Sequence, residues 1–332
     1  MSASPARKQA RVINQLEALK EMTVVVADSG DYGKIEQYTP QDATTNPTLI
    51  LQAAQLPEYS ALVSEVVSHC RTQLGLGGED LVDEVCDRLA VQFGVEILQL
   101  IPGRVSTEVD ASLSFDTNKS VEKALKLISL YAEKGIPKER VLIKLASTWE
   151  GVEACRILES QGIHCNMTLI FNYHQAIACA QAGASLISPF VGRIFDWYEK
   201  NQPRDSAYTK LTDPGVQSVS RIFKYFKAHG HSTTVMGASF RSKEQILGLA
   251  GIDSLTVSPN LLEELEKCTD PVERVLLKDV SDSKIPRENV NEASFRWALN
   301  EDQMATDKLS EGIRNFYKDL QKLKDFLRGS RI

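Results

Sequence analysis

The chain has 332 residues, 42% hydrophobic and 25% charged, an ordinary globular composition with ample material for a core. A formal net charge of -6 gives no general attraction to nucleic acid or to an anionic membrane, so an anionic substrate would have to be held by local arginines. The six cysteines (Cys70, Cys86, Cys155, Cys165, Cys179 and Cys268) form no C-x-x-C pair and no Cys/His cluster of zinc-finger spacing. They read as free thiols of a reducing cytoplasm. No secretory signal and no apolar stretch long enough to span a bilayer is visible. The basic cluster Arg7, Lys8 and Arg11 reads as a solvated helix start rather than a nucleic-acid signal.

In chain order, Val12, Leu16 and Leu19 give an early helix an apolar stripe. Short apolar strands follow at 24–27, 42–45, 105–109, 141–146, 165–169, 184–188, 233–238 and 254–258, with helical patterns between them. Gly135, Gly162, Gly183, Gly230 and Gly251 each precede a strand, where a left-handed residue turns the chain out of a helix. Ser147-Thr148-Trp149-Glu150 and Ser242-Lys243-Glu244-Gln245 have capping-box spacing; Asp213-Pro214 and Ser258-Pro259 read as N-caps followed by proline. Eight parallel strands alternating with helices predict an α/β fold, a (β/α)8 TIM barrel in one domain over 1–332, with additional N-terminal and C-terminal helices. A doubly wound open sheet is the rival, but the first strand runs into Asp28-Ser29-Gly30-Asp31-Tyr32-Gly33, which is not G-x-G-x-x-G. Leu309, Ile313, Phe316, Leu320, Leu323 and Leu327 mark a long amphipathic helix. It is expected to pack on its own barrel, and it is also a candidate surface for a second copy.

Lys144 stands out because the strand around it, Val141-Leu142-Ile143-Lys144-Leu145-Ala146, is otherwise apolar. Burial disfavours an ammonium, which enriches the free amine that can attack a carbonyl and form a Schiff base. A structurally paired lysine is the alternative. Barrel enzymes carry reactive groups at the C-terminal ends of their strands. Those positions hold Asp28, Asn46, Glu108, Asn166 with Thr168, Ser188 and Ser239. Any one could be a local cap or turn, such as Asn46 before Pro47. Their joint appearance around Lys144 favours a site. The strand period puts Lys144 on one face with Leu142 and Ala146, Asn166 with Thr168, and Ser106 with Glu108 and Asp110. Arg193 and Arg241 follow late strands, where barrels often bind phosphate through guanidinium forks.

These segments resemble the transaldolase family. The resemblance lies in Val25-Val26-Ala27-Asp28-Ser29-Gly30-Asp31, Asp42-Ala43-Thr44-Thr45-Asn46-Pro47, Gly103-Arg104-Val105-Ser106-Thr107-Glu108-Val109-Asp110 and Ile143-Lys144-Leu145-Ala146-Ser147-Thr148-Trp149-Glu150-Gly151. It continues through Cys165-Asn166-Met167-Thr168-Leu169, Ser188-Pro189-Phe190-Val191-Gly192-Arg193 and Met236-Gly237-Ala238-Ser239-Phe240-Arg241, in family order. The resemblance implies an enzyme without cofactor or metal that moves a dihydroxyacetone unit from sedoheptulose 7-phosphate to glyceraldehyde 3-phosphate. The products would be erythrose 4-phosphate and fructose 6-phosphate. It implies Lys144 as Schiff-base nucleophile, Asp28 as acid/base, and Glu108 and Thr168 on a proton-shuttling water. Asn46, Asn166 and Ser188, with Phe190, would meet the substrate, and Arg193, Ser239 and Arg241 its phosphate. It also implies a homodimer. The related fructose 6-phosphate aldolases are shorter and resemble this family with Gln in place of Glu108 and Tyr in place of Phe190, so the residues here favour transfer over release. A barrel that binds sugar phosphates without catalysis is the reading from another class.

Overall fold

The computed structural model describes residues 13–202, 206–279 and 284–329; Val12 and the cluster Arg7, Lys8 and Arg11 lie outside them. Eight parallel strands close into a barrel in sequence order. They are β1 (Val24–Asp28), β2 (Asp42–Thr44), β3 (Val105–Glu108), β4 (Val141–Ala146), β5 (Cys165–Ile170), β6 (Leu186–Pro189), β7 (Thr234–Gly237) and β8 (Ser254–Val257). β8 pairs back onto β1, so no sheet edge remains, as the barrel reading requires and an open sheet does not. The expected strands are all present, with ends differing by one or two residues.

The alternation of side chains decides what each strand carries. Val141, Ile143 and Leu145 face the helix layer and join the main hydrophobic core. Leu142 points inward and meets Val26, Leu186 and Met236, an apolar plug inside the barrel. Above that plug, toward the C-terminal ends, the inward positions turn polar. Gly135, Gly162, Gly183, Gly230 and Gly251 all have positive φ, so each is the left-handed exit of a helix or turn.

Asp213 accepts from Gly215 N and Val216 N at the start of Pro214–Ala228, and Ser242 accepts from Gln245 N. Ser258 starts Pro259–Glu266 without a side-chain bond. One cap is corrected: Thr148, not Ser147, caps Trp149–Ser160 and accepts from Gly151 N. Ser147 is instead buried, its backbone N–H bonded to Thr168 O. Leu16 and Leu19 are buried in the helix Gln15–Lys20.

The terminal helix Gln303–Gly329 spends its apolar stripe twice on its own chain. Met304, Leu309, Ile313 and Phe316 cover the barrel mouth against Leu169, Phe171, Phe190 and Trp197. Leu323 and Leu327 join a second cluster with the helices Pro47–Ala54, Ser60–Thr72 and Gly78–Leu100. That stripe is therefore not available to a second copy.

Candidate active site

Strand register lines up the central residues. Glu108 on β3 pairs with Lys144 on β4, and Lys144 pairs with Asn166 on β5. The three form one row across neighbouring strands, all inward. Asp28 on β1 stands beside Thr44 on β2, and Ala146 beside Thr168. Asp110, expected to share the Glu108 face, has already left the strand and accepts from Ser112 N.

Lys144 is buried, its side chain 7% exposed. Nζ lies 3.2 Å from Glu108 Oε2 and donates to the Thr45 carbonyl at 3.3 Å. The contact to Glu108 is an ion pair without a well-aligned hydrogen bond, so Oε2 keeps free accepting capacity. Thr168 Oγ1 is likewise buried with no hydrogen-bond partner. A buried hydroxyl and carboxylate with open valences suit groups that must hold a reacting molecule. Around them a polar network is satisfied. Thr44 donates to Asp28 Oδ1 at 3.0 Å and lies 2.9 Å from Thr256 Oγ1. Ser188 donates to Asn166 Oδ1 at 2.6 Å, and Asn166 Nδ2 donates to Ser106 Oγ at 3.0 Å. Asn46 accepts from Leu49 N as helix cap, which leaves its amide nitrogen for the cavity.

A cavity of about 230 Å³ sits over this floor. Of the eleven residues singled out above, Asp28, Asn46, Lys144, Thr168, Ser188, Phe190, Arg193, Ser239 and Arg241 line it. Asn166 is fully buried and accepts from Ser188, which lines the cavity in its place. Glu108 opens instead on a smaller cleft of about 100 Å³ that it shares with Asn46 and Asp110. Burial pushes both carboxyls up. For Asp28, Lys144, the Thr44 hydroxyl and Arg193 pull back less than desolvation pushes. For Glu108, Lys144 and Arg193 do the same. Carboxyls held above their ordinary range can carry protons closer to neutrality.

The rim is cationic and aromatic. The Arg193 guanidinium carbon lies 4.8 Å from the Phe190 ring and 5.4 Å from Phe316. Arg241 reaches Asp196. Ser239 has φ 61°, a left-handed turn that directs the loop after β7.

Thr44, Thr256, Phe316 and Asp196 were missed from sequence. Thr44 and Thr256 follow the inward period of their strands and could have been found that way. Phe316 and Asp196 carry no such signal, since both come from helices that meet the site only through tertiary packing.

Among the described residues, one group has metal-ligand geometry: Cys155, Glu159 and Cys165, with ligand atoms within 4.8 Å of one another. It sits at the start of β5, the barrel end away from the cavity. Glu159 Oε1 already accepts from Cys165 N at 2.8 Å and Ser185 N at 2.7 Å. It reads as a tie between strands.

The fold and site thus define a class: a parallel barrel with a buried lysine between carboxylates beneath an arginine-rimmed cavity. The family model described as transaldolase/fructose-6-phosphate aldolase matches residues 25–327. Transaldolase 1 of Pectobacterium atrosepticum is 56% identical over 315 residues, 95% of this chain and 99% of the relative. Transaldolase of a Marinomonas species is 55% identical, covering 95% and 98%. Transaldolase A of Escherichia coli K12 is 53% identical, covering 95% and 99%. The chain belongs to the transaldolase/fructose-6-phosphate aldolase family.

Proposed function

We propose that this chain is a transferase that carries out the transaldolase reaction through a Schiff base on Lys144. The family relation and the close relatives support the activity. The observation that carries the residue assignment is the row Glu108, Lys144, Asn166, with Nζ 3.2 Å from a carboxylate.

The free Lys144 amine attacks C2 of a ketose phosphate. Glu108 can take the ammonium proton beforehand and return it, through water held with Thr168, to the departing hydroxyl of the carbinolamine. Water leaves and an iminium remains. Asp28 then accepts the C4 hydroxyl proton while the C3–C4 bond breaks. The bond electrons flow into the iminium, giving an enamine, and an aldose phosphate departs. Asn46, Asn166 and Ser188 hold the retained hydroxyls; Phe190 walls the pocket. Arg193, Ser239 and Arg241 hold phosphate away from the reacting carbons, so that binding energy orients donor and acceptor alike. A second aldehyde reverses the steps, and hydrolysis frees the lysine. In the forward sense sedoheptulose 7-phosphate and glyceraldehyde 3-phosphate give erythrose 4-phosphate and fructose 6-phosphate.

The test is borohydride reduction in the presence of fructose 6-phosphate, followed by peptide mass mapping. A three-carbon adduct on Lys144 is expected. Folded protein that binds the sugar phosphate yet yields no adduct would leave a binding barrel.

We also read the chain as one domain, cytoplasmic and homodimeric. One closed barrel carries the helical extensions. Among the described residues no helix is long and apolar enough to cross a membrane. Light scattering tests the dimer.

A further inference from the structure

We propose that Asp196 is a positioning residue for the phosphate clamp: it grips Arg241 from the side, so that the end of the guanidinium faces Ser239 and the cavity. The inference deepens the phosphate reading given above and rests on it.

Arg241 Nε lies 3.1 Å from both Asp196 oxygens, and Nη2 donates to Oδ2 at 2.6 Å. A guanidinium has five N–H donors. This side-on pair uses the Nε–H and one hydrogen of Nη2. Asp196 takes nothing from Nη1 and leaves the second hydrogen of Nη2, so the end-on edge, one N–H from each Nη, is not spent on the carboxylate and can engage a phosphate with two parallel bonds. Nη1 itself donates only long bonds, to Ser239 Oγ at 3.4 Å and to the Phe240 carbonyl at 3.5 Å, at the cavity rim where a charged phosphate oxygen is the stronger acceptor.

Local structure explains why Asp196 can do this. It lies in the helix Gly192–Asn201, four residues after Gly192, and so on the same face. Gly192 has no side chain there. A Cβ would strike the Ser239 carbonyl and come within 2.9 Å of Arg241 Cγ and 3.0 Å of Nη1. Arg241 therefore crosses bare backbone to reach Asp196. The carboxylate also offsets the repulsion between two neighbouring guanidiniums. Burial first, and then Arg241, push the Arg193 group down.

Both partners are substantially exposed, 42% and 39%, so the pair adds little to stability and its consequence is orientation. The opposite role would be competition, with Asp196 occupying the donors that phosphate needs. The side-on geometry argues against it, because Asp196 takes only the Nε–H and one hydrogen of Nη2 and none of Nη1.

The experiment compares Asp196→Ala and Asp196→Asn in the full chain, with fructose 6-phosphate and with unphosphorylated fructose as donors. Asp196→Ala is expected to raise KM for fructose 6-phosphate about 5- to 10-fold relative to that for fructose, because Arg241 must then be ordered on binding. Asp196→Asn keeps an acceptor oxygen and is expected to recover most of that loss. Lower KM for the phosphate in both variants would mean competition and overturn the proposal. So would equal effects on both donors, or no effect. Arg241→Ala is assayed beside them. If it leaves the KM for fructose 6-phosphate where it was, the phosphate reading has failed. If it raises that KM while Asp196→Ala does not, only the role of Asp196 has failed.

Discussion

At the scale of single residues, the site is built from groups that burial makes uncomfortable. Lys144 is tolerated in an apolar strand because Glu108 stands opposite it and the Thr45 carbonyl accepts from Nζ. Lys144→Ala should abolish the reducible adduct while leaving the fold intact, since Glu108 is already pushed toward its neutral form. Circular dichroism checks the fold, and a persistent adduct in the variant would move the nucleophile elsewhere. Asp28 supplies a pH prediction. Its carboxyl is held above the ordinary 3.8 by burial. As pH rises past 3.8 the unfolded chain loses this proton first, and the native state is penalised increasingly until Asp28 itself ionises. Asp28→Asn removes that penalty. Its Tm should exceed that of the parent at pH 8, and the gain should vanish below pH 3.8. Activity should fall roughly 100- to 10,000-fold, the usual loss of a general acid or base. A Tm difference that stays constant with pH would contradict the assignment of a strained carboxyl.

Among elements, the terminal helix shows where periodicity informs and where it stops. The steps of three and four along Leu309, Ile313 and Phe316 predicted a helix with one apolar face, and the face is buried. The pattern holds no information about which surface receives it. That depends on Leu169 and Phe190, which belong to strands and loops far away in the chain. Ser147 and Thr148 are a similar case on a smaller scale. Both are good caps, and only the exit angle of β4 decides between them. Gly312 gives a measurable contest. Exposed Gly→Ala in a helix stabilises by about 1 kcal/mol. Here a Cβ would lie 2.7 Å from Leu169 Cδ2, 3.1 Å from Cδ1 and 3.3 Å from Arg193 Nη1. Leu169 is fully buried and at φ 56°, so it has little room to yield. Overpacking of about 1–3 kcal/mol should win, for a net loss of about 1 kcal/mol in urea unfolding of Gly312→Ala. A gain in stability would show that the helix can shift on the mouth.

Across the whole molecule, the barrel was readable because each strand and each glycine exit repeats a local rule, and eight repeats leave few topologies. The site floor was readable for the same reason: Lys144, Asn166 and Glu108 are strand residues with a fixed face. The cover over the mouth and the grip on Arg241 were not, because Phe316 and Asp196 arrive from helices. That division bears on whether the enzyme transfers or merely cleaves. The covalent three-carbon unit would sit on a lysine 7% exposed, beneath Phe316, whose ring centroid is 5.7 Å from Nζ. Excluding water from a reactive intermediate slows its hydrolysis. Release of free dihydroxyacetone from fructose 6-phosphate without an aldehyde acceptor should therefore be slower than transfer with one. Phe316→Ala should narrow that ratio by admitting water, at a stability cost of about 3–5 kcal/mol for a buried aromatic. Transfer and release are separable by assaying free dihydroxyacetone with and without erythrose 4-phosphate. Equal release under both conditions in the parent chain would make it an aldolase, and an unchanged ratio in a folded Phe316→Ala protein would take the terminal helix out of the partition.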